Sequence, residues 1–131
     1  MAKFGKIIII LILAFCCNNI FAQDAISEPS QWSQAPYRLF RTRNVWTFLQ
    51  LDTINGRVWQ VHYSLDDDGE IVVLDNQDRA SGKERIPGRF TLYPTSNMYN
   101  FILHDQIDGI SWQVQWSFNR NNRFVIPIGR R

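Results

Sequence analysis

From Tyr37 onward, apolar and polar residues alternate in short runs, not at helical spacing. The runs are rich in Val, Ile, Thr, Trp, Tyr and Phe, and Gly, Asn or Asp lies between them, a pattern that predicts strands joined by turns. The predicted strands cover Tyr37 to Arg43, Val45 to Thr53, Arg57 to Ser64 and Glu70 to Asp75, then Phe90 to Thr95, Met98 to Gln106, Ile110 to Phe118 and Arg123 to Ile128. Asn55-Gly56 and Asp108-Gly109 are hairpin-turn dipeptides, whose residues tolerate positive φ. Successive side chains of a strand point to opposite faces. Trp59, Val61 and Tyr63 therefore share one face, as do Trp112, Val114 and Trp116, and both sets are expected in the core. Gln60 and His62, or Ser111, Gln113 and Gln115, fall on the other face, expected to be polar and solvated. The second strands are apolar on both sides, with Trp46 and Phe48 against Leu49 and Leu51, and are expected to be central.

The second set of strands repeats the first at an offset of 53 residues. Identical pairs are Leu39/Leu92, Thr42/Thr95, Asn44/Asn97, Phe48/Phe101, Asp52/Asp105, Ile54/Ile107, Gly56/Gly109, Trp59/Trp112, Gln60/Gln113, Val61/Val114 and Ser64/Ser117. The match fades after Ser117, although Val72 still falls on Val125. An ungapped self-match of this length is an internal repeat. One four-stranded meander cannot bury its apolar face alone. The expected fold is all-β: two tandem four-stranded antiparallel meanders, residues 37–76 and 90–129, packed as a pseudo-twofold sandwich or small barrel. Together they make a single domain over 37–131, with 77–89 as an exposed linker. Propellers are also built from such units, but two blades cannot close one, so that arrangement requires the chain to oligomerise.

Residues 1–22 read as a secretory signal peptide. Lys3 and Lys6 precede the unbroken apolar run Ile7 to Phe15, and Ala22 offers a small residue before a cut at Gln23. The nine residues of that run are too few for a membrane span, which takes about 20. Cys16 and Cys17 follow the run, so a lipid-anchored variant is an alternative to full release, although bulky Phe15 sits where lipidation prefers a small residue. With residues 1–22 removed, the 14 basic residues fall to 12 and balance the 12 acidic ones, and no cysteine remains. The expected destination is the periplasm or the outside of the cell. A neutral chain makes no electrostatic case for nucleic acid, and without cysteine no disulfide is available. Residues 23–36, with Pro29 and Pro36, read as a flexible leader that holds Trp32.

Candidate chemistry is sparse. Asp52 and Asp105 hold equivalent places before the two turns, where a shared-proton dyad or a turn cap are the two readings. Ser64, Asp66, Asp68, Gly69 and Asp75 match part of a calcium-loop spacing, but the leading acid and the long closing glutamate are absent. An acidic hairpin turn is the better reading of them. His62 and His104, the only histidines, fall in non-equivalent places and suggest neither zinc nor a triad. The best ligand candidates are amides and hydroxyls: Gln60 and Gln113, identical in both copies on the polar face, and the polar stripe that Gln113 makes with Gln115, Ser111 and Ser117, able to hydrogen-bond a glycan or an extended peptide. No cofactor is implied.

The run Leu51-Asp52-Thr53-Ile54-Asn55-Gly56-Arg57-Val58-Trp59-Gln60-Val61 resembles a hairpin that recurs in small, uncharacterised exported bacterial β-repeat proteins. The second copy, Asp105 to Val114, keeps the Gly and the Trp but departs at Gln106 and Ser111. The resemblance implies export and a β-fold, and carries over no catalytic residue. The expectation is a non-enzymatic binding or structural module for a glycan or protein. The alternatives are a small carboxylate-dependent hydrolase and an oligomeric surface-assembly subunit.

Overall fold

The computed structural model describes residues 35–129. The expected signal and the leader up to residue 34 lie outside the described residues. All eight expected strands form; the fourth keeps its expected bounds and the other seven are shortened by turn residues at their ends. They are β1 (Tyr37–Arg41), β2 (Thr47–Asp52), β3 (Val58–His62), β4 (Glu70–Asp75), β5 (Phe90–Pro94), β6 (Asn100–Asp105), β7 (Ser111–Gln115) and β8 (Phe124–Pro127). They make two antiparallel meanders, β1-β2-β3-β4 and β5-β6-β7-β8, packed as a sandwich and not closed into a barrel. The second strands are central, as their two-sided apolar pattern requires.

The identical residues of the repeat build the turns. Thr42 Oγ1 donates to Thr47 C=O at 2.7 Å, and Thr95 Oγ1 does the same to Asn100 C=O at 2.9 Å. Asn44 and Asn97 each accept the N–H two residues on, from Trp46 and Tyr99. At the next turn Gly56 N–H donates to Asp52 C=O at 2.9 Å, and Gly109 N–H to Asp105 C=O at 2.8 Å. Each of these turns is a longer loop than the two-residue hairpin expected. Only its glycine carries positive φ, +79° at Gly56 and +67° at Gly109, so Asn55 and Asp108 are not left-handed. The third turn differs between copies. Gln60 pairs with Val72 but Gln113 pairs with Ile126, so the offset grows to 54 and Val125 matches Ile71, not Val72.

The two sheets bury opposite faces. In the first, the covered residues are Leu49 and Leu51 of β2 with Val58 and Gln60 of β3. In the second they are Phe90 and Leu92 of β5, Phe101 and Leu103 of β6, Val114 of β7, and Trp116 just beyond it. The first-sheet equivalents of that second set are Tyr37, Leu39, Phe48, Gln50, Val61 and Tyr63, all on the outer side. The core face expected from Trp112, Val114 and Trp116 is therefore correct, while Trp59, Val61 and Tyr63 face outward. The sandwich is stacked face to back, with β2 against β5 and β4 against β8. A pseudo-twofold would bury the same face twice, and this sandwich does not.

Backbone bonds tie the stack together. Phe90 N–H donates to Thr53 C=O at 2.9 Å, and Arg43 Nη1 reaches Ser96 C=O, its own equivalent position, at 2.9 Å. Linker residues 81–87 are all exposed, but Arg79, Ala80 and Arg89 are buried, so the linker is partly core. Arg79 lies over the first Gly turn, donating to Gly56 C=O at 3.0 Å, with its guanidinium 4.9 Å above the Trp112 ring. A Cβ at Gly56 would stand 3.1 Å from Phe90 Cδ1. That position thus requires glycine for space as well as for φ.

The asymmetry of burial is measurable at equivalent positions. Leu49→Ala is expected to cost about 2–5 kcal/mol, and Ile102→Ala, its counterpart on the uncovered face, about 1 kcal/mol or less. Urea denaturation of dilute protein checks both. Equal losses would contradict face-to-back stacking.

Candidate functional site

The paired carboxylates are occupied by their turns. Asp52 Oδ1 accepts the N–H groups of Ile54 and Asn55 at 2.9 and 3.3 Å, and its Oδ2 accepts Asn55 Nδ2 at 2.8 Å. Asp105 Oδ1 accepts the N–H groups of Ile107 and Asp108 at 2.9 and 3.2 Å. Asp105 carries a further partner that its counterpart lacks. Arg89 clasps it through Nε and Nη2, the closest contact being 2.8 Å, and both side chains are fully buried. Arg89 also reaches Asp108 at 3.0 Å and Glu84 C=O at 2.7 Å, so its donors are well used. Burial alone would push the Asp105 carboxyl up, but Arg89 and the two turn N–H groups outweigh it and hold it below the ordinary carboxylate value. Both carboxylates are buried turn caps, bonded to their own turns.

The polar candidates are divided between two places. Gln60 is buried against the second sheet, with Oε1 lacking a protein partner, so it is not on the polar surface expected of it. Gln113, Gln115 and Ser111 do share the outer face of the second sheet. There they bond to neighbours: Gln113 Nε2 to Asn100 Oδ1 at 2.6 Å, Gln115 Nε2 to Asn122 C=O at 2.8 Å, and Ser111 Oγ with His104 Nδ1 at 2.9 Å. Ser117 caps the third turn, accepting Asn119 N–H at 3.1 Å, as Ser64 accepts Asp66 N–H at 3.2 Å. The acidic set is likewise dispersed. Asp66 and Asp68 stand on that exposed turn, whereas Asp75, at the end of β4, is bound to Arg79 and accepts Gln77 N–H at 2.9 Å. Among the described residues, no three His, Cys, Asp or Glu side chains are grouped to hold a metal ion.

The feature missed in the sequence is the outer face of the first sheet. Tyr37 and Leu39 of β1, Trp59 and Val61 of β3 and Ile71 and Val73 of β4 lie side by side on it, with Phe48 of β2 between them. Trp46 and Tyr63 extend it, their rings 5.2 Å apart. Tyr37 and Leu39 are 58% and 57% exposed, whereas their equivalents Phe90 and Leu92 are 0% and 3%. The ring pairs recur almost unchanged: Tyr37–Trp59 at 6.4 Å matches Phe90–Trp112 at 6.3 Å, and Trp46–Tyr63 matches Tyr99–Trp116 at 5.0 Å. One ring of each pair changes its surroundings: Phe90 and Trp116 are fully buried whereas Tyr37 and Tyr63 are exposed, while Trp59 and Trp112 are half-buried in both sheets and Trp46 and Tyr99 exposed in both. The polar strand residues on this face are Arg41, Gln50 and, buried at its turn, Asp52.

An open groove of about 500 Å³ runs between the two equivalent first turns, lined by Arg41 to Arg43 and by Pro94 to Met98, with Phe101 at its floor. It contains no titratable pair suited to proton transfer. No helix among the described residues is long and apolar enough to cross a membrane. No family model, curated protein or solved structure matches the chain.

Removing either member of the buried ion pair leaves an uncompensated charge. Arg89→Met is therefore expected to cost about 3–5 kcal/mol in urea denaturation. Because the folded Asp105 carboxyl has a lowered pKa, the unfolded chain binds the extra proton in acid. Its contribution is complete above the unfolded value near 4 and is lost as pH falls through the lower folded value. Stability measured from about pH 6 down to pH 2 is expected to fall less steeply in Asp105→Asn than in the parent chain. An unchanged slope would contradict the assignment.

Proposed function

We propose that the chain is an exported, non-enzymatic interaction module that works through the outer face of its first sheet. The observation that carries this reading is the contrast between equivalent positions: Tyr37, Leu39 and Tyr63 stand exposed on the first sheet where Phe90, Leu92 and Trp116 are buried in the second. An apolar patch of this kind on a small domain marks a docking surface. Aromatic rings supply large contact area at low entropic cost, with a polar tip at Tyr and Trp. The face has few polar strand residues with which to read hydroxyls, which favours a protein surface over a glycan.

The bonding of the paired carboxylates supports the same reading against a hydrolase built on them. Asp52 and Asp105 are spent on turn N–H groups, and Asp75 on Arg79. The polar stripe on the second sheet supports glycan or peptide recognition less well, because its amides already bond to one another and Gln60 is absent from it. Export rests on residues 1–22, whose charged start, apolar run and small closing residue follow the secretory pattern.

The test uses Leu39→Glu with Val73→Glu, both at exposed strand positions. The double variant is expected to keep its far-ultraviolet circular dichroism and to elute well before the parent chain from a phenyl matrix at low micromolar protein. Retention equal to the parent's would overturn the assignment of this face. Turnover of an ester, peptide, glycoside or phosphoester by the pure protein would overturn the non-enzymatic reading.

A further inference from the structure

We infer that the partner of this face is a second copy of the chain, docked face to back, so that copies close into a ring of blades. This rests on the reading of the first sheet's outer face as a docking surface. The chain carries a worked example of what covers such a face. Tyr37, Leu39, Phe48 and Val61 have their equivalents in Phe90, Leu92, Phe101 and Val114, and those are buried by the opposite face of a neighbouring meander. The same opposite face is left uncovered on the second sheet. One copy therefore presents one half of the internal interface at each end.

The uncovered face of the second sheet fits the role residue by residue. Ile102 stands where Leu49 stands in the buried version, and Tyr93 where Phe40 stands. Ile126 pairs with Gln113 as Val72 pairs with Gln60. Gln113 is no obstacle to burial, because its counterpart Gln60 is already buried at the internal interface. The two most polar changes, His104 for Leu51 and Ser111 for Val58, satisfy each other through the 2.9 Å contact between Nδ1 and Oγ. The backbone repeats too. Phe90 N–H donates to Thr53 C=O across the internal interface, and Tyr37 N–H and Gln106 C=O hold the equivalent places for the same bond between copies.

The symmetry consequence follows. An interface between unlike faces is heterologous, and it generates a ring where the rotation closes. Repeated face-to-back stacking of four-stranded meanders is the arrangement of a propeller, which has about 4 to 8 blades. Two blades per copy make that two to four copies. A pairing of the aromatic face with itself would instead be isologous and would stop at a dimer.

Sedimentation velocity of the chain, purified as processed on export, tests this between about 1 and 100 μM, a range set by ordinary protein–protein affinities. One discrete species of two to four copies is expected. Leu39→Glu with Val73→Glu, and separately Tyr93→Glu with Ile126→Glu, are each expected to weaken assembly about tenfold or more and leave monomer. Mixed one to one, the two variants are expected to form a heterodimer and nothing larger, since one intact face remains on each. Gln50→Glu and Gln113→Glu are the milder substitutions on the same two faces if a double variant fails to fold. A parent chain monomeric throughout would overturn the inference. So would homodimerisation of the Tyr93/Ile126 variant, or a mixture that forms no complex. A monomeric parent whose phenyl retention still falls with Leu39→Glu and Val73→Glu keeps the docking face and loses only the self-assembly. If retention does not fall either, the underlying reading fails with it.

Discussion

A four-stranded antiparallel meander has two faces and can cover neither by itself. This chain makes two such meanders and stacks them in the same sense, so each covers one face of the other and leaves one face bare. The consequences run through the molecule. Leu49, Leu51 and Val58 are fully buried in the first copy, while the second copy holds Ile102, His104 and Ser111 at those places, half exposed. Conversely, Trp116 is fully buried and Tyr63 is not. The linker is shaped by the same stacking, because it must carry the chain from β4 back to the first strand of the next meander. On its way Arg79 covers the Gly56 turn and the Trp112 ring.

The turns were readable from the repeat because their chemistry is local. Thr42, Asn44, Asp52, Gly56 and Ser64 recur at the same offset, and each bonds backbone within a few residues of itself. Strand number and order followed from where those turns fall. Which face is inside did not follow. In β3 and the residue after it, alternation sets Trp59, Val61 and Tyr63 against Val58, Gln60 and His62, and points to the first, more apolar set as the covered one. It is right in the second copy only. A signal was present in the comparison of copies. Leu51 becomes His104 and Val58 becomes Ser111, so one face changes polarity while the Trp59/Trp112 and Val61/Val114 face does not. A face that loses apolar residues in one copy is a face that copy does not bury against its neighbour. Gln60 could not be placed because its burial depends on the sheet opposite and not on its own strand.

The two copies also differ in how they anchor the second turn. In the first, Asp52 is answered by Asn55, and Thr53 ties the entering chain by accepting Gly88 N–H at 3.0 Å and donating to Ala35 C=O. In the second, Asn55 has become Asp108, which brings a second carboxylate beside Asp105. Two carboxylates at one turn repel, and Arg89 resolves the conflict by bonding both. Lys83 adds a 2.6 Å contact to Asp108 from the linker. The linker thus supplies both cations that the second turn needs. It is a structural part of the domain and not a spacer, which its charged composition alone did not reveal.

Duplication gives the polar stripe a physical reading of its own. If the outer face of the second sheet existed only to meet water, nothing would keep its hydrogen bonds internal, since solvent satisfies Gln, Ser and His at little cost. The groups there instead answer one another, as Gln113 with Asn100 and Ser111 with His104. A face whose polar groups are mutually satisfied loses little when water is removed, whereas one with unanswered donors would resist covering. The opposite end of the molecule carries apolar and aromatic groups that gain from being covered. One end tolerates desolvation and the other is driven toward it, and the internal interface joins those same two kinds of face. The contact that stabilises one copy is thus the one that the proposed assembly would repeat between copies.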